Sequence, residues 1–294
     1  MSLEKGSQMD NGIFDPIRKR IGEDIIYCQQ VNTGYINDVF LICTKNARYY
    51  VKIFRINNSQ KILHSISIQK YLAMRNISPR IIVEDIGSIT YIVQEAFPNK
   101  IEKRDWVKYG ELLGKIHYYL ESYHDTELSA FSFDQPTDGC NLNGSQSCQE
   151  LFEVKAVLKD MVHTPCLDRQ QVIHGDYTWN NIVADTLDYR AIDYDEAKFY
   201  YPIYDVAKVI IDVISSNHFK CAVDFLQGYQ SVCSISNDEK KEMINVYAYT
   251  LMNDFSGLDP QANKDNHFFQ KRLSKHKDVL SHIEEYNRLK DRLF

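Results

Sequence analysis

The chain has 294 residues, of which 44% are hydrophobic and 25% are charged; these proportions are ordinary for a globular protein and exclude a disordered or collagen-like chain. Its formal net charge of −6 at pH 7 excludes a positive field over the whole chain, so we expect no nucleic-acid partner. No apolar run is long enough to span a membrane, and the N-terminal residues lack the apolar run of a signal peptide. We therefore expect a cytoplasmic protein without a membrane partner.

The first part of the chain, residues 13–97, is predicted to form a small domain rich in strands. Four runs of β-branched and aromatic residues predict strands: 39–43, 49–54, 80–83 and 89–93. A polar turn separates the first two runs, so these are expected to form a β-hairpin. Residues 59–76 carry apolar side chains close to helical spacing, and Pro79 ends the predicted helix.

Residues 98–294 are predicted to form a second, mainly helical domain. Its first helix, 105–123, has a regular apolar stripe. Further helices are predicted near these ranges: 148–163, 203–217, 220–231, 238–255 and 268–293. The fold class is therefore α+β, with a small strand domain followed by a larger helical one.

One segment in the second half of the chain carries the residues from which chemistry can be inferred. Two short apolar runs, 182–184 and 189–192, flank a turn-forming sequence and predict an antiparallel hairpin. In such a hairpin, the residue that enters the first strand lies beside the residue that leaves the second. Asn181 and Asp193 are therefore expected together at the open end of the hairpin, next to the loop that carries Asp176.

These three side chains suit phosphoryl transfer. Mg²⁺ prefers oxygen ligands, so Asn181 and Asp193 are predicted to hold the metal. Phosphoryl transfer also needs a group that orients the attacking hydroxyl and accepts its proton, and Asp176 is placed to be that catalytic base. The His-x-Asp-x₄-Asn spacing is that of the catalytic loop of protein kinases, with Gly175 in place of Arg.

The order His-Gly-Asp-x₄-Asn followed by Ile-Asp-x-Asp closely resembles the aminoglycoside phosphotransferase/choline kinase superfamily. The resemblance implies a bilobal, protein-kinase-like fold, in which a small N-terminal lobe has an antiparallel sheet and a helix and a larger C-terminal lobe is mainly helical. It also implies a kinase that phosphorylates a small polar hydroxyl compound, with ATP or GTP as donor and Mg²⁺ as cofactor. Carried over by position, Asp176 is the catalytic residue, and Asn181 and Asp193 hold magnesium. Three further residues are implied as structural support: His174, Asp195 and Asp205.

The resemblance also implies nucleotide-binding residues in the N-terminal domain. A lone strand lysine such as Lys52 more often marks a solvent-facing edge, but its position after a hairpin and before a helix resembles that of the family's lysine for the α and β phosphates. Residues 32–38 resemble the family's glycine-poor phosphate loop, with Asn37 just before the next strand. Backbone groups of Gln94 and Ala96 occupy the position of the hinge that binds a purine edge.

The helix after Lys52 departs from the kinase pattern. Kinase-like folds pair this lysine with a Glu on the helix, but residues 59–76 contain no acidic residue. We favour a neutral hydrogen bond from His64, Ser65 or Gln69 in place of the ion pair. A wrongly assigned helix and impaired nucleotide binding are the alternatives.

The acceptor and the class of activity stay open at this point. An aminoglycoside or related amino sugar is the first choice, and choline or ethanolamine is the second. A protein kinase is disfavoured, because Gly175 replaces the Arg that engages a phosphorylated activation loop and the segment between Asp195 and Asp205 is too short for such a loop. A nucleotide-binding pseudokinase or scaffold is the alternative from another class. The missing helix Glu favours it, whereas the presence of Asp176 and its two partner residues opposes it.

Overall fold

The computed structural model describes these residues: 11–31, 37–55, 59–87, 89–97, 101, 103–124, 150, 153, 154, 156, 157, 160, 162–184, 188–215, 218–256, 277, 280–283, 285–289 and 292–294. The predicted phosphate loop, except for its last two residues, lies outside them, as do large parts of the predicted helices 148–163 and 268–293. Among the described helices, none has both the length and the apolar character that a membrane crossing requires. The five cysteines within the described part of the chain are free thiols.

In chain order the elements are α1 (Asn11–Ile21), β1 (Tyr27–Gln30), β2 (Asp38–Cys43), β3 (Arg48–Phe54), α2 (Ser59–Ala73), β4 (Ile81–Asp85), β5 (Thr90–Glu95), α3 (Trp106–Glu121), β6 (Gln171–Ile173), β7 (Ile182–Ala184), β8 (Tyr189–Ala191), β9 (Lys198–Tyr200), α4 (Ile203–Ser215), α5 (Phe219–Gln230) and α6 (Asn237–Ser256). All four strands predicted before residue 97 are present, and so are the predicted helices that the structure describes in full. The structure adds α1, β1, β6 and β9, which the sequence pattern does not predict.

The chain divides into two compact units, one formed by Met1–Arg104 and Thr178–Ala197 and the other by Asp105–Tyr177 and Lys198–Phe294. The segment 178–197 thus belongs to the N-terminal unit, although the sequence assigns it to the helical domain. Two contacts explain this: the Ala191 amide donates to the Ile77 carbonyl oxygen at 2.9 Å, and the hydroxyls of Ser78 and Tyr194 are 2.6 Å apart. The predicted division at residue 97 itself stays a prediction.

The N-terminal unit contains a five-stranded antiparallel sheet in the order β1-β2-β3-β5-β4. Phe14 of α1 is in a buried cluster with Val51 of β3, whereas Ile66 of α2 is in a separate cluster with Phe54. Because successive strand side chains point to opposite faces, the two helices cover opposite faces of the sheet. Lys52 has the same parity as Phe54 and therefore lies on the face that α2 covers.

The same unit contains the hairpin that the sequence predicts between residues 182 and 192. Strands β7 and β8 pair antiparallel, with Ile182 opposite Ala191 and Ala184 opposite Tyr189. A single 3-10 turn, Trp179–Asn181, leads into β7. The prediction of an antiparallel hairpin is confirmed.

The C-terminal unit is built around a close contact between α3 and α5. A Cβ atom on Gly110 of α3 would lie 1.9 Å from the Phe225 carbonyl oxygen, and one on Gly228 of α5 would lie 1.9 Å from the Val107 carbonyl oxygen. Only glycine at both positions lets the two backbones approach this closely. In the same unit, β6 pairs antiparallel with β9, and the His-Gly-Asp sequence begins directly after β6.

Candidate active site

The loop after β6 is held by one buried carboxylate on α4. Asp205 accepts hydrogen bonds from the backbone amides of His174 and Gly175, both at 3.0 Å, and its side chain is fully buried. His117 of α3 completes the contact, because its Nε2 lies 3.2 Å from the Asp205 carboxylate. Burial alone would raise the pKa of Asp205, but the hydrogen bond from His117 and the nearby histidine and lysine charges hold this pKa below its ordinary value.

The backbone conformation of the loop explains why residue 175 is a glycine. Gly175 has a φ of +78°, in the left-handed region that side chains with a Cβ adopt only at a cost. This conformation directly follows the two amides that share the Asp205 carboxylate. The Asp176 amide, in turn, donates to Nδ1 of the buried His174 at 3.3 Å. The tripeptide is therefore a turn that is held by the Asp205 carboxylate, by the left-handed Gly175 and by the His174 side chain.

Asp176, the predicted catalytic base, is paired with a lysine that the sequence analysis does not identify. Nζ of Lys208, on α4, donates to Oδ1 of Asp176 at 2.5 Å. Burial alone would lower the pKa of Lys208, but the Asp176 charge and hydrogen bond raise it above its ordinary value. The signal for Lys208 is its spacing of three residues from Asp205, which puts both side chains on one face of the helix.

In the N-terminal unit, the two predicted metal ligands flank the end of the hairpin. The Ile192 amide donates to the Asn181 carbonyl oxygen at 2.9 Å. Asn181 and Asp193 therefore both lie at the open end of the hairpin, just beyond the pair formed by Ile182 and Ala191. Asp193 has a φ of +67°, an uncommon conformation for a residue with a Cβ. Amide and carboxylate oxygens at this end fit a hard cation such as Mg²⁺. Within the described parts of the chain, no group of three or more His, Cys, Asp or Glu side chains is arranged to hold a metal ion, here or elsewhere.

Lys52 is bound by two carboxylates of the segment after β8. Its Nζ lies 2.8 Å from Asp193 Oδ1 and 2.8 Å from Asp195 Oδ2, and its side chain is only 12% exposed. Burial alone would lower the pKa of Lys52, but the charges of Asp195 and Asp193 and their hydrogen bonds raise it. Lys52 is therefore a buried cation between two acids, which is incompatible with a solvent-facing edge lysine.

Asp195 is the residue that takes the place of the missing helix Glu. Besides Lys52, it accepts hydrogen bonds from Ser65 Oγ of α2 at 2.9 Å and from Asn37 Nδ2 at 2.8 Å. The expectation that a neutral hydrogen bond replaces the ion pair is wrong: an ion pair is present, and Ser65 contacts its acid rather than its lysine. The reason is that Asp195 reaches both the strand and the helix, so α2 needs only a hydroxyl donor.

The contacts of the predicted purine-binding hinge are internal to the sheet. The Ala96 amide donates to the Arg48 carbonyl oxygen at 3.2 Å, which counts against this amide as a purine donor. Gln94 lies within β5, opposite Tyr50 of β3, and its side-chain oxygen accepts a hydrogen bond of 2.7 Å from Gln69. A nucleotide contact from these two residues stays a prediction.

The structure thus groups the predicted site residues within each unit. In the N-terminal unit, Asn37, Lys52, Asp193 and Asp195 form one hydrogen-bonded cluster. In the C-terminal unit, a second cluster joins the loop to α4 and α3. The predicted convergence of Asp176 with the two metal ligands stays a prediction.

Comparison with known proteins gives a family and a fold. The model of APH, a phosphotransferase enzyme family, matches residues 28–240, whereas no curated protein matches the sequence significantly. A microcompartment-associated aminopropanol kinase superimposes with a TM-score of 0.66 at 13% identity, covering 94% of this chain and 98% of its own. Spectinomycin phosphotransferase APH(9)-Ia, in complex with ADP and spectinomycin, gives 0.63 at 13% identity, with 95% and 98% covered.

Choline kinase LicA from Streptococcus pneumoniae is similar to the same extent, with a TM-score of 0.62 at 15% identity over 95% of this chain and 100% of its own. At such identities the likeness of solved structures shows the fold alone. It confirms the predicted α+β, protein-kinase-like fold.

Proposed function

The chain belongs to the APH family of phosphotransferase enzymes, and on that premise we propose that it is a small-molecule kinase. It transfers the γ-phosphate of ATP or GTP to a hydroxyl group of a polar, amine-bearing acceptor. The observation that carries the proposal is the buried Lys52 ammonium, held 2.8 Å from each of two carboxylates in the N-terminal unit. A buried lysine next to side-chain oxygens that can bind a metal ion is the arrangement that binds a metal-complexed nucleoside triphosphate.

In the proposed reaction, each residue has one role. Lys52 binds the α and β phosphates and is held by Asp195, which also accepts a hydrogen bond from Asn37. Asn181 and Asp193 hold the metal. Mg²⁺, when bound, neutralises the charge of the phosphate oxygens. Asp176 orients the acceptor hydroxyl and accepts its proton as the oxygen attacks the γ phosphorus. The bond from that phosphorus to the bridging oxygen breaks, and the products are the phosphorylated acceptor and ADP or GDP.

The amine on the acceptor is supported by the names of proteins with the same fold. These proteins are described as acting on aminopropanol, choline and spectinomycin, which all carry a positively charged nitrogen at neutral pH. An aminoglycoside or amino sugar therefore remains our first choice for the acceptor. A choline-type, ethanolamine-type or other metabolite kinase is the second candidate.

A pseudokinase or scaffold that binds nucleotide without transferring phosphate is the alternative of another class. It was favoured by the missing helix Glu, but Asp195 supplies the acid that Lys52 needs. The missing helix Glu therefore no longer favours a pseudokinase or scaffold.

The test is acceptor-stimulated release of ADP or GDP. The purified protein with MgCl₂ and ATP or GTP is given kanamycin, spectinomycin, 1-amino-2-propanol, choline or ethanolamine, and Asp176→Ala serves as the inactive control. We expect release that depends on one acceptor class and on Mg²⁺ and that the Asp176→Ala variant lacks. Nucleotide binding without stimulated release, for every acceptor and for both proteins, contradicts the kinase and supports the scaffold.

A further inference from the structure

The ion pair between Lys208 and Asp176 is asymmetric. The two atoms involved, Nζ and Oδ1, are 2.5 Å apart, and the lysine side chain is 13% exposed against 41% for the aspartate. The ammonium is therefore the buried end of the pair, and the carboxylate is the end that a solute reaches. The Lys208 ammonium therefore contacts the Asp176 carboxylate on its protein-facing side and leaves its exposed side accessible to a solute.

Helix α4 holds the loop with two side chains of opposite charge. Asp205 binds the amides of His174 and Gly175, and one turn later Lys208 binds the side chain of Asp176. Three consecutive loop residues are thus fixed by one face of one helix. The first contact fixes the backbone of the loop, and the second fixes the carboxylate.

The apolar packing of α4 does not require a lysine at this position. Most residues that flank Lys208 along α4 are apolar and buried: Val206, Ala207, Val209, Ile210 and Ile211. The buried exception, one turn before it, is Asp205. Removing an ammonium from water is costly, and replacing a buried ion pair by apolar side chains is often neutral or stabilising. An apolar residue would therefore pack at position 208 without that cost.

We propose that Lys208 is a positioning residue for phosphoryl transfer, whose ammonium fixes Oδ1 of Asp176 so that the carboxylate presents one orientation to the acceptor hydroxyl. This inference rests on the proposed function, because that function makes Asp176 the proton acceptor. Proton transfer in the transition state requires hydrogen-bond geometry between base and hydroxyl. The charges of Asp176 and Asp205 keep Lys208 protonated, which agrees with the raised pKa of its ammonium.

The experiment compares Lys208→Met, Lys208→Gln and Lys208→Arg with the wild type. Lys220→Met, on the exposed side of α5, is the control for losing a lysine. The measurements are kcat and KM for ADP release with kanamycin, spectinomycin, 1-amino-2-propanol and choline at saturating MgATP, the Kd of MgATP without acceptor, and the thermal unfolding temperature.

We expect Lys208→Met to lower kcat by about 10- to 100-fold, because a small misplacement of a catalytic group has effects of this size. The Kd of MgATP should change by less than about threefold, since Lys208 acts on the base and not on the nucleotide. Lys208→Arg keeps the charge and should retain more kcat than Lys208→Met, and Lys220→Met should match the wild type. If Lys208→Met does not fold, Lys208→Gln tests the same loss of charge with a neutral hydrogen-bond donor.

Two results overturn the inference. One is a folded, charge-free variant whose kcat stays within about twofold of the wild type; a lower unfolding temperature alone then indicates a purely structural lysine. The other is a Lys208→Arg variant that loses as much kcat as Lys208→Met. A wild type that is inactive with every acceptor counts against the proposed function, whereas an active wild type with an equally active Lys208→Met variant counts against the role of Lys208 only.

Discussion

Ser65 donates a hydrogen bond of 2.9 Å to Asp195, which lies 130 residues later in the chain. Through this bond, α2 contacts the acid that holds Lys52, although the helix has no acid of its own. The helix, the strand and the segment after β8 are thus joined by one carboxylate. Loss of any of the three contacts should weaken this cluster, which we propose binds the nucleotide, by a different amount.

Removing the Ser65 hydroxyl tests the helix contact. We expect Ser65→Ala to weaken MgATP binding by about threefold to tenfold, because a hydrogen bond to a charged group contributes about 1.5–3 kcal/mol and only part of it affects the ligand. The matched control is Ser67→Ala, the same change at an exposed position of the same helix. Calorimetric titration with MgATP measures both, and equal affinities for the two variants contradict the prediction.

The Lys52 ammonium should contribute to nucleotide affinity more than any single neutral contact. We expect Lys52→Met to raise the Kd of MgATP by about 10- to 100-fold, as for the loss of a charge-assisted hydrogen bond. Lys45→Met, in the exposed turn between β2 and β3, is the control. Should Lys52→Met leave both affinity and turnover unchanged, its proposed phosphate contact is wrong.

The two predicted roles of the acids are separable by metal dependence. Asp193→Ala should abolish the Mg²⁺-dependent part of nucleotide binding, because it removes a proposed oxygen ligand of the metal. Asp176→Ala should keep that part and lose turnover instead, by about 100-fold or more. ATP affinities measured with Mg²⁺ and with EDTA give the comparison. The same Mg²⁺ dependence in both variants would falsify the assignment.

The contact between α3 and α5 predicts two severe stability changes. Gly110→Ala and Gly228→Ala each bring a Cβ to within 1.9 Å of a backbone carbonyl oxygen, so the helices must separate. We expect each change to lower the free energy of unfolding by about 3 kcal/mol or more. Gly87→Ala, whose Cβ would meet its first neighbour at an ordinary 3.6 Å, is the control. Urea unfolding gives the three values, and equal losses at all three positions contradict the packing.

Asp205 predicts a specific dependence of stability on pH. Its pKa is lowered in the folded state from an ordinary value of 3.8, so its ionised form stabilises the fold above that value. The contribution is lost as the pH falls from 3.8 through the lower folded-state pKa. We expect Asp205→Asn to be less stable than the wild type by about 2–4 kcal/mol at pH 7, with a difference that shrinks below about pH 4.

The measurement for Asp205 is the free energy of unfolding by urea between pH 3 and pH 7. Asp212→Asn, at an exposed position of the same helix, controls for the change of charge on α4. A difference between Asp205→Asn and the wild type that is independent of pH shows that the ionised carboxylate is not the stabilising form.

The elements that the sequence predicts are those whose pattern is local. The β7–β8 hairpin follows from two apolar runs and a turn within eleven residues, numbers 182 to 192, and it brings Asn181 and Asp193 to one end without any other part of the chain. Helix α1 shows the limit of such patterns. Pro16 lies inside it, which is rare in a helix interior, and the burial of Phe14 in the sheet cluster supplies the stabilisation that the local sequence lacks.

The sequence by itself determined most of the strands and helices, the hairpin and the loop that is the candidate catalytic loop, because these depend on spacing between near neighbours. Only the tertiary structure decided which acid accompanies Lys52 and which cation accompanies Asp176. Lys52 and Asp195 are 143 residues apart, and no periodicity connects residues at that distance. The packing of the chain determines such partners. A buried charge needs an opposite charge nearby, and that charge can come from any part of the sequence that the fold places there.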